Sequence, residues 1–435
     1  MTTTAHPLRN PSSISQAARR TGEPAISELM RRALANPDLI SLAAGFVDSA
    51  SLPVEATRTA LNAIWSDPLE ARRALQYGTT QGDARLRARL IERIEREENV
   101  EAGTFAGMAS RTVVTSGSQQ LLYLVAEALL DPGDIVIVED PTYFVFLGML
   151  AGRGAEAIGV GTDSGGMNLD RLEETLERLE REGRLDRLKL IYTVSEHGNP
   201  SGLSLAADRR ARLVEIAREW SKVHEILILE DAAYRNLNFE GSEPPSVWSH
   251  DPDRVILART FSKTYSPGLK TGYGILPPGL LGPVLALKGS HDFGSGHFAQ
   301  VLLEQVLVDG GYDRQIACLR DLYREKRDIL LDALDREFGA WERDGLASWT
   351  RPKGGIYVWL TVPEGVDTGR EGSLFPRCVE RGVIYVPGGL ATADSLLGSR
   401  NIRLCYGVST ADELREGTAR LAAAVADCMK PEPVA

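Results

Sequence analysis

Between residues 75 and 263 the sequence alternates short apolar runs with longer segments in which apolar residues recur at helical spacing. The apolar runs, each short enough for a buried strand, lie at 111–115, 135–138, 154–160, 188–193, 226–229 and 255–258. The predicted helices between and before them lie at 84–98, 121–130, 169–182 and 207–223. This alternation favours a mainly parallel sheet, because a helix must carry the chain back before each next parallel strand. We therefore predict an α/β fold.

After residue 275 the pattern changes to long helices followed by strand-like runs. The helices are predicted at 298–308 and 312–338, and the strands at 352–360, 383–388 and 401–406. A chain of 435 residues also exceeds what one hydrophobic core usually serves. We expect a large domain with a mainly parallel sheet and a smaller α+β domain.

The expected boundaries assign residues 1–55 to an N-terminal arm and part of the small domain, 56–300 to the large domain and 301–435 to the C-terminal small domain. Residues 1–25 are polar and predict an arm that is flexible or docks on a partner subunit. The first amphipathic helix is predicted at 26–34, and a short strand-like run follows at 39–47.

Composition excludes several classes of function. The net charge of −11 argues against a nucleic-acid or anionic-membrane surface, and no apolar run approaches the length that spans a bilayer. The polar N-terminus lacks the apolar core of a signal peptide, which favours the cytoplasm. The four cysteines contain no C-x-x-C pair, so thiols are expected rather than disulfides or a zinc site, and no metal is predicted.

Lys263 lies in a hydroxyl-rich loop directly after the apolar run 255–258. Thr260, Ser262 and Thr264 flank it, and Lys270 supplies a second cation after a Pro-Gly turn. Such a loop can present an amine beside an anion-binding pocket, which a Schiff-base lysine requires. Taken alone, the same residues also fit an ordinary exposed lysine.

Other polar residues follow neighbouring strands, where ligands bind in open α/β sheets. Ser116-Gly-Ser-Gln-Gln120 joins a strand to a helix, so the free amides of the first helical turn could bind a phosphate. Plain N-capping by Ser116 or Ser118 would use the same residues. The other candidates at strand ends are Tyr143, Asn199 in an Asn-Pro-Ser-Gly turn, Asp231 and Tyr234.

Two further residues admit two interpretations each. Gly45 follows a strand-like run and either forms a turn or lines a ligand pocket with its backbone. Tyr77, in a glycine-punctuated loop, either packs within that loop or reaches into a site.

The ordered set of motifs from Gly45 to Arg403 resembles the fold-type I pyridoxal-phosphate enzymes. Within them it is most similar to the class I/II aminotransferases, especially the subgroup that contains α-aminoadipate and kynurenine aminotransferases. The resemblance implies an aspartate aminotransferase-like fold, pyridoxal 5'-phosphate as cofactor, small-molecule amino acid and 2-oxo acid substrates, and a homodimer.

The resemblance also implies roles for the catalytic side chains. Lys263 corresponds to the Schiff-base lysine, which then moves a proton as acid and base. Asp231 corresponds to the carboxylate that pairs with the pyridine nitrogen. Asn199 and Tyr234 correspond to the pair that hydrogen-bonds the phenolic oxygen of the cofactor.

The remaining implied contacts concern the phosphate, the ring face and the substrate. Arg403 resembles the arginine that binds the substrate α-carboxylate, and Gly45 falls at the substrate pocket. Tyr143 resembles the aromatic residue stacked on the pyridine ring, and Tyr77 resembles the tyrosine given across a dimer interface to the phosphate. The implied phosphate ligands in the same chain are Ser118, Gln119, Thr260, Ser262 and Lys270.

Three departures from the family pattern bear on specificity. Lys270 stands where many relatives carry a phosphate-binding arginine, so it supplies charge without a planar fork. The segments 43–48 and 195–199 differ from the usual sequences near the substrate pocket. His197, His291 and His297 fall in segments expected near the pocket. Each of them also fits a packed or solvent-exposed position, but together they suggest a substrate with a polar or charged distal group, or chemistry beyond transamination.

The leading functional hypothesis is a pyridoxal-phosphate-dependent aminotransferase that moves an amino group from an L-amino acid to a 2-oxo acid through a Lys263 Schiff base. The alternative keeps the fold and cofactor but carries out β- or γ-elimination, replacement, cyclisation or oxidation of an amino acid. A ligand-sensing transcription regulator is disfavoured, because only a short segment precedes Gly45 and the charge is acidic.

Overall fold

An eight-stranded sheet forms the centre of the computed structural model, which describes residues 13–22 and 38–430. The strands in chain order are β2 (Thr112–Thr115), β3 (Ile135–Asp140), β4 (Glu156–Asp163), β5 (Gly166–Met167), β6 (Leu188–Thr193), β7 (Leu227–Asp231), β8 (Val255–Thr260) and β9 (Gly272–Ile275). Their spatial order is β2-β9-β8-β7-β6-β3-β4-β5. The five strands from β8 to β4 in that order pair in parallel, which confirms the predicted fold class.

The predicted strands recur in this sheet, with shifted ends in most cases. The strand predicted at 188–193 has those bounds, whereas the one predicted at 154–160 is displaced to Glu156–Asp163. Strand β9 was not predicted, and it runs antiparallel to both of its neighbours, β2 and β8. Its four residues include two glycines and form no apolar run, so the pattern that identified the other strands is absent.

Helices cover both faces of the sheet. Alternate residues along each strand enter opposite cores: Ile135 and Ile137 pack into one, and Val136 and Val138 into the other. The described α-helices that end at or before residue 308 are α1 (Gln16–Arg20), α2 (Val54–Ser66), α3 (Pro68–Leu75), α4 (Ala84–Glu97), α5 (Ser118–Leu129), α6 (Phe144–Arg153), α7 (Leu169–Arg181), α8 (Ala207–Glu219), α9 (Val247–His250), α10 (Pro278–Asp292) and α11 (His297–Val308).

A second, antiparallel sheet lies in the C-terminal part of the chain. It contains β10 (Ser348–Trp349), β11 (Tyr357–Thr361), β14 (Asn401–Cys405) and β13 (Val386–Pro387), in that spatial order. The helices of this part are α12 (Gly311–Arg343), α13 (Leu374–Glu380) and α14 (Ala411–Met429).

The strand predicted at 383–388 is two short strands that belong to different sheets. Strand β12 (Val383–Ile384) pairs in parallel with β1 (Ile40–Ser41), whereas β13 pairs with β14. The segment that precedes the large sheet in sequence therefore joins the C-terminal part of the fold.

The N-terminal predictions are described only in part. Of the predicted arm, residues 13–22 are described, and they include α1. The helix predicted at 26–34 lies outside the described residues. Within residues 13–22 and 38–430, no helix combines the length and apolar character that crossing a membrane requires.

Candidate active site

A cavity of about 370 Å³ lies where the parallel strands of the large sheet end. Most of the residues that the sequence predicts for cofactor and substrate line it. These are Gly45, Ser118, Gln119, Tyr143, Asn199, Asp231, Tyr234, Thr260, Ser262, Lys263, Lys270 and Arg403. Residues from both sheets therefore face one space, although more than 350 positions separate the first from the last.

Lys263 follows β8 and extends its amine to the opposite wall of the cavity. The Nζ atom donates a hydrogen bond to the carbonyl oxygen of Gly45 at 2.6 Å. Burial lowers the pKa of Lys263 to about 8, and the nearby positive charges of Arg403 and Lys270 act in the same direction. A larger fraction of this amine is therefore neutral near pH 7 than of an ordinary lysine, which makes it a better nucleophile.

Asp231, the last residue of β7, is buried beneath the cavity. Its Oδ2 atom accepts a hydrogen bond from the hydroxyl of Tyr192 at 2.9 Å. Its Oδ1 atom is also buried but has no hydrogen-bond partner among the described residues. Burial raises the pKa of Asp231 to about 6. A buried carboxylate oxygen without a partner is costly, so this atom fits a ligand that brings an N–H donor, such as a protonated ring nitrogen.

The start of α5 forms one wall of the cavity. The residue before the helix is Gly117, with φ +77°, and no side chain caps the first turn, so capping by Ser116 or Ser118 does not occur. A Cβ atom on Gly272 would lie 2.5 Å from the backbone nitrogen of Ser118. This close approach of β9 requires glycine, and the uncapped amides of the first turn fit a phosphate.

Hydroxyl groups and a cation complete this wall. The Thr260 hydroxyl donates to Ser262 Oγ at 3.0 Å. Lys270 ends a short turn with φ +49°, and its side chain is exposed at the edge of the cavity. The donor set therefore suits a doubly charged phosphate group.

Arg403 lies in β14 and also lines the cavity. Its Nη1 atom donates to Asn199 Oδ1 at 3.0 Å, and its Nη2 atom donates to the carbonyl oxygen of Ala43 at 2.6 Å. Its Nε atom is buried and has no partner among the described residues. The guanidinium thus keeps donor capacity for a carboxylate.

Sequence reasoning missed Tyr357, the first residue of β11, which also lines the cavity. Its hydroxyl accepts a hydrogen bond from the Tyr234 hydroxyl at 3.2 Å, and its ring lies 4.6 Å from the Arg403 guanidinium carbon. The strand-like pattern at 352–360 was recognised, but it does not show which neighbouring strand pairs with it or which side chains reach the cavity.

Tyr77 does not line this cavity. Its side chain is 83% exposed, and it lies in a separate surface groove together with Phe293 and His297. Its ring meets that of Phe293 edge to face at 6.0 Å.

His197, His291 and His297, which fall in segments expected near the pocket, do not line it. His197 packs under the glycines at 354 and 355 and lies 3.3 Å from Ser204 Oγ, and burial lowers its pKa to about 4. His291 lies 3.0 Å from Gln120 Nε2, and His297 lies 2.9 Å from the carbonyl oxygen of Gln76. Local partners therefore account for all three.

The segment 195–199 contributes less to the cavity than predicted. Only Asn199 of these five residues lines it. The neighbouring Glu196 points into the protein, where its Oε1 atom accepts hydrogen bonds from Arg210 at 3.0 Å and from Arg235 at 2.5 Å. The unusual residues of this segment thus serve buried ion pairing and packing rather than contact with a substrate.

Comparisons with known proteins agree with this geometry. The profile of the family described as aminotransferase class I and II matches residues 37–421. Aromatic-amino-acid aminotransferase 1 of Thermococcus litoralis is 35% identical over 402 residues, which cover 90% of this chain and 89% of that protein. The 2-aminoadipate transaminase of Thermus thermophilus is 32% identical over 424 residues, with 96% and 98% covered.

A solved structure extends the similarity to three dimensions. The Pyrococcus horikoshii kynurenine aminotransferase, crystallised in complex with PMP, superposes with a TM-score of 0.85 at 30% identity. The superposition covers 96% of this chain and 98% of that one.

Proposed function

The chain belongs to the class I and II aminotransferase family, and we propose that its own pocket carries out amino-group transfer from an L-amino acid to a 2-oxo acid through Lys263. Membership makes it a pyridoxal-phosphate-dependent transferase. One observation carries the residue assignment. A half-buried amine, a carboxylate oxygen without a partner and a guanidinium nitrogen without a partner among the described residues share a single cavity.

The lining residues fit the cofactor. The phosphate is assigned to the first turn of α5 and the hydroxyl and ammonium groups around it, and the ring to the groups on the neighbouring strand ends. The proposed phosphate ligands are Ser118, Gln119, Thr260, Ser262 and Lys270, and the proposed ring contacts are Asp231, Asn199, Tyr234 and Tyr143. When bound, the cofactor supplies an electron sink for the carbanion at the substrate Cα.

The chain itself supplies positioning, charge and proton transfer. Arg403 binds the substrate α-carboxylate, which turns the Cα–H bond toward Lys263. The Lys263 amine removes this proton and later returns it, and its lowered pKa matches a base that works near neutral pH. Asp231 places its negative charge against the ring nitrogen and stabilises that nitrogen in the protonated form.

The rest of the lining favours an apolar or aromatic substrate side chain. The cations of the described lining are Lys263, Lys270 and Arg403, and each already has a role. The wall around the expected side chain contains Phe46, Phe144, Val145, Val194 and Tyr357. No histidine of the described residues lines the cavity, so no imidazole is placed there to bind a charged distal group.

A half-reaction assay tests the proposal. Holoenzyme is mixed with single amino acids, and conversion of the cofactor to its amine form is followed by absorbance. We expect conversion with phenylalanine, leucine or methionine at lower concentrations than with aspartate. Ammonia release without conversion would contradict amino-group transfer and would favour elimination chemistry.

We further propose a homodimer in which Tyr77 reaches the phosphate site of the partner. The exposure of Tyr77 supports this, as does a set of large apolar side chains exposed near its groove. Leu75 is 73% exposed, Phe293 is 62% exposed, and Trp65 stacks on Phe298 at the same surface. Light scattering should give twice the chain mass, and Tyr77→Phe should weaken cofactor retention without changing that mass.

The proposed domain division is the one predicted, with 56–300 as the large domain and the remainder forming the arm and the small domain. Two groups of buried residues support a division into two cores: the packing around the large sheet, and a second core formed mainly by 39–43 and 319–425. The first core also includes several residues within 301–316, which the predicted boundary assigns to the small domain. Limited proteolysis that yields a stable fragment ending between residues 300 and 319 would support the division, and exclusive cutting within 319–425 would contradict it.

The cytoplasm is the proposed compartment. All four cysteines are free, as expected in a reducing environment. Fractionation of the source cells with detection by antibody tests this assignment.

A further inference from the structure

Tyr357 contacts both halves of the proposed site. Its hydroxyl group meets the hydroxyl of Tyr234, which is assigned to the cofactor ring, and its ring packs on Arg403, which is assigned to the substrate. Apart from lining the wall around the substrate side chain, Tyr357 has no role assigned above. Strand β11 holds it by pairing Tyr357 with Cys405 of β14, two residues beyond Arg403.

The two tyrosine hydroxyls form a pair of neutral donors. Burial raises the pKa of both Tyr234 and Tyr357, so each keeps its proton at neutral pH. The titratable groups that influence this pair are Arg403, Cys405 and Tyr143. In the structure Tyr234 donates and Tyr357 accepts, at 3.2 Å.

This direction can reverse because a hydroxyl hydrogen rotates. If Tyr234 donates to the phenolic oxygen of the cofactor, its own oxygen becomes free to accept from Tyr357. Hydrogen bonds in such a chain strengthen one another, so donation by Tyr357 makes Tyr234 a better donor. The pocket geometry thus provides a two-membered donor chain toward the ring.

The second contact of Tyr357 is with Arg403, the proposed ligand of the substrate carboxylate. The Arg403 guanidinium carbon lies 4.6 Å from the centre of the Tyr357 ring and 5.4 Å from that of Phe144. Contacts with aromatic faces stabilise a guanidinium and restrict its orientation. The Tyr357 hydroxyl also leaves no room at Gly45, where an added Cβ atom would lie 2.5 Å from it.

We propose that Tyr357 is a positioning residue that acts through Tyr234 on the cofactor ring and through its own ring on Arg403. The proposal rests on the proposed function, since it uses the roles given there to Tyr234 and Arg403. It adds a residue to the site and predicts that its hydroxyl and its ring have separable effects.

The test is a spectroscopic pH titration of the holoenzyme, which does not depend on turnover. A donor to the phenolic oxygen favours the more negative form of the cofactor, so its loss raises the pH midpoint of the visible absorbance change. Tyr357→Phe should raise this midpoint by about 0.5 pH unit, which corresponds to the loss of one indirect hydrogen bond. Because the ring remains, the KM for the amino acid should change less than about twofold.

A double variant shows whether the effect passes through Tyr234. In a Tyr234→Phe background, Tyr357→Phe should cause no further shift. Tyr385→Phe is the matched control, because it removes another buried hydroxyl, one that donates to the carbonyl oxygen of Thr368 outside the cavity. Its midpoint should equal that of the wild type.

The outcomes separate this proposal from the function on which it rests. A wild-type midpoint in Tyr357→Phe, or equal shifts in both backgrounds, would overturn the proposal alone. A wild-type protein that binds the cofactor without the visible absorbance of a lysine-bound imine would overturn both. Tyr357→Leu, which also removes the ring, should raise the KM by about tenfold, and an unchanged KM would exclude the contact with Arg403 from the account.

Discussion

The cofactor half and the substrate half of the cavity are built in different ways. Asp231, Thr260 and Lys263 stand at or just beyond the ends of neighbouring parallel strands of one sheet. Gly45, Tyr357 and Arg403 come from three distant segments, which the pairing of β11 with β14 and the close approach of Gly45 to Tyr357 bring together. The side chains of the cofactor half therefore lie together because neighbouring strands end at one edge of the sheet. The side chains of the substrate half lie together because of contacts between segments that are distant in sequence.

This difference predicts how variants of each half will fail. Loss of a group in the cofactor half should reduce turnover with every substrate. Loss of a group in the substrate half should mainly raise KM, and by an amount that depends on the substrate.

Asp231→Asn should have the largest effect among the variants that still bind the cofactor. The amide cannot supply the negative charge at the ring nitrogen, so we expect kcat to fall by about 1000-fold with all amino acids. Glu230→Gln is the control, because Glu230 is its neighbour but accepts hydrogen bonds from the amides of Val247 and Trp248 instead. Steady-state kinetics that show a tenfold loss or less in Asp231→Asn would break the assignment.

Arg403→Lys should have the second largest effect, and this effect should be mainly a rise in KM. A lysine lacks the planar fork, so we expect the KM for the amino acid to rise by about 100-fold with a smaller change in kcat. The matching amine without the α-carboxylate is the control substrate. If Arg403→Lys slows the reaction of this amine to the same extent, Arg403 does not bind the α-carboxylate.

Gly45→Ala tests the contact between the loop after β1 and Tyr357 of β11. The added Cβ atom would lie 2.5 Å from the Tyr357 hydroxyl oxygen but 3.5 Å from the ring carbon that carries it. We expect kcat/KM to fall by about tenfold because the ring must move. Adding Tyr357→Phe should recover most of this loss, and a double variant as poor as Gly45→Ala would locate the damage elsewhere.

Lys270→Arg should have the smallest effect. An arginine could bind the phosphate with two parallel hydrogen bonds, so we expect the dissociation constant of the cofactor to fall by about threefold. Fluorescence titration of the apoenzyme measures it. Weaker binding in this variant would mean that the left-handed backbone at Lys270, with φ +49°, directs the longer side chain away from the phosphate.

The two halves also differ in how far the sequence reveals them. Asp231 and Lys263 follow recognisable strands, and strand ends of a parallel sheet share one edge, so their meeting could be inferred. Tyr357 could not, because an apolar strand pattern does not show its partners or its register. His197 is a related case: it lies two residues from Asn199, but the turn between them places its ring in a packed site under the glycines at 354 and 355.

The fold shows the same limit. The parallel strands were predicted from apolar runs, whereas β9 was missed because its glycines serve the close approach to α5 rather than a core. Likewise, the run 383–388 divides between two sheets, since tertiary pairing rather than local pattern decides where a strand ends.

Reduction of the holoenzyme with borohydride, followed by peptide mapping, tests the central claim most directly. Reduction fixes the cofactor to the amine that holds it, and the structure directs the Lys263 amine into the cavity. We expect one cofactor per chain on the peptide that contains Lys263, and no fixed cofactor in Lys263→Ala. Attachment to Lys270 or to any other lysine in the wild-type protein would contradict the account.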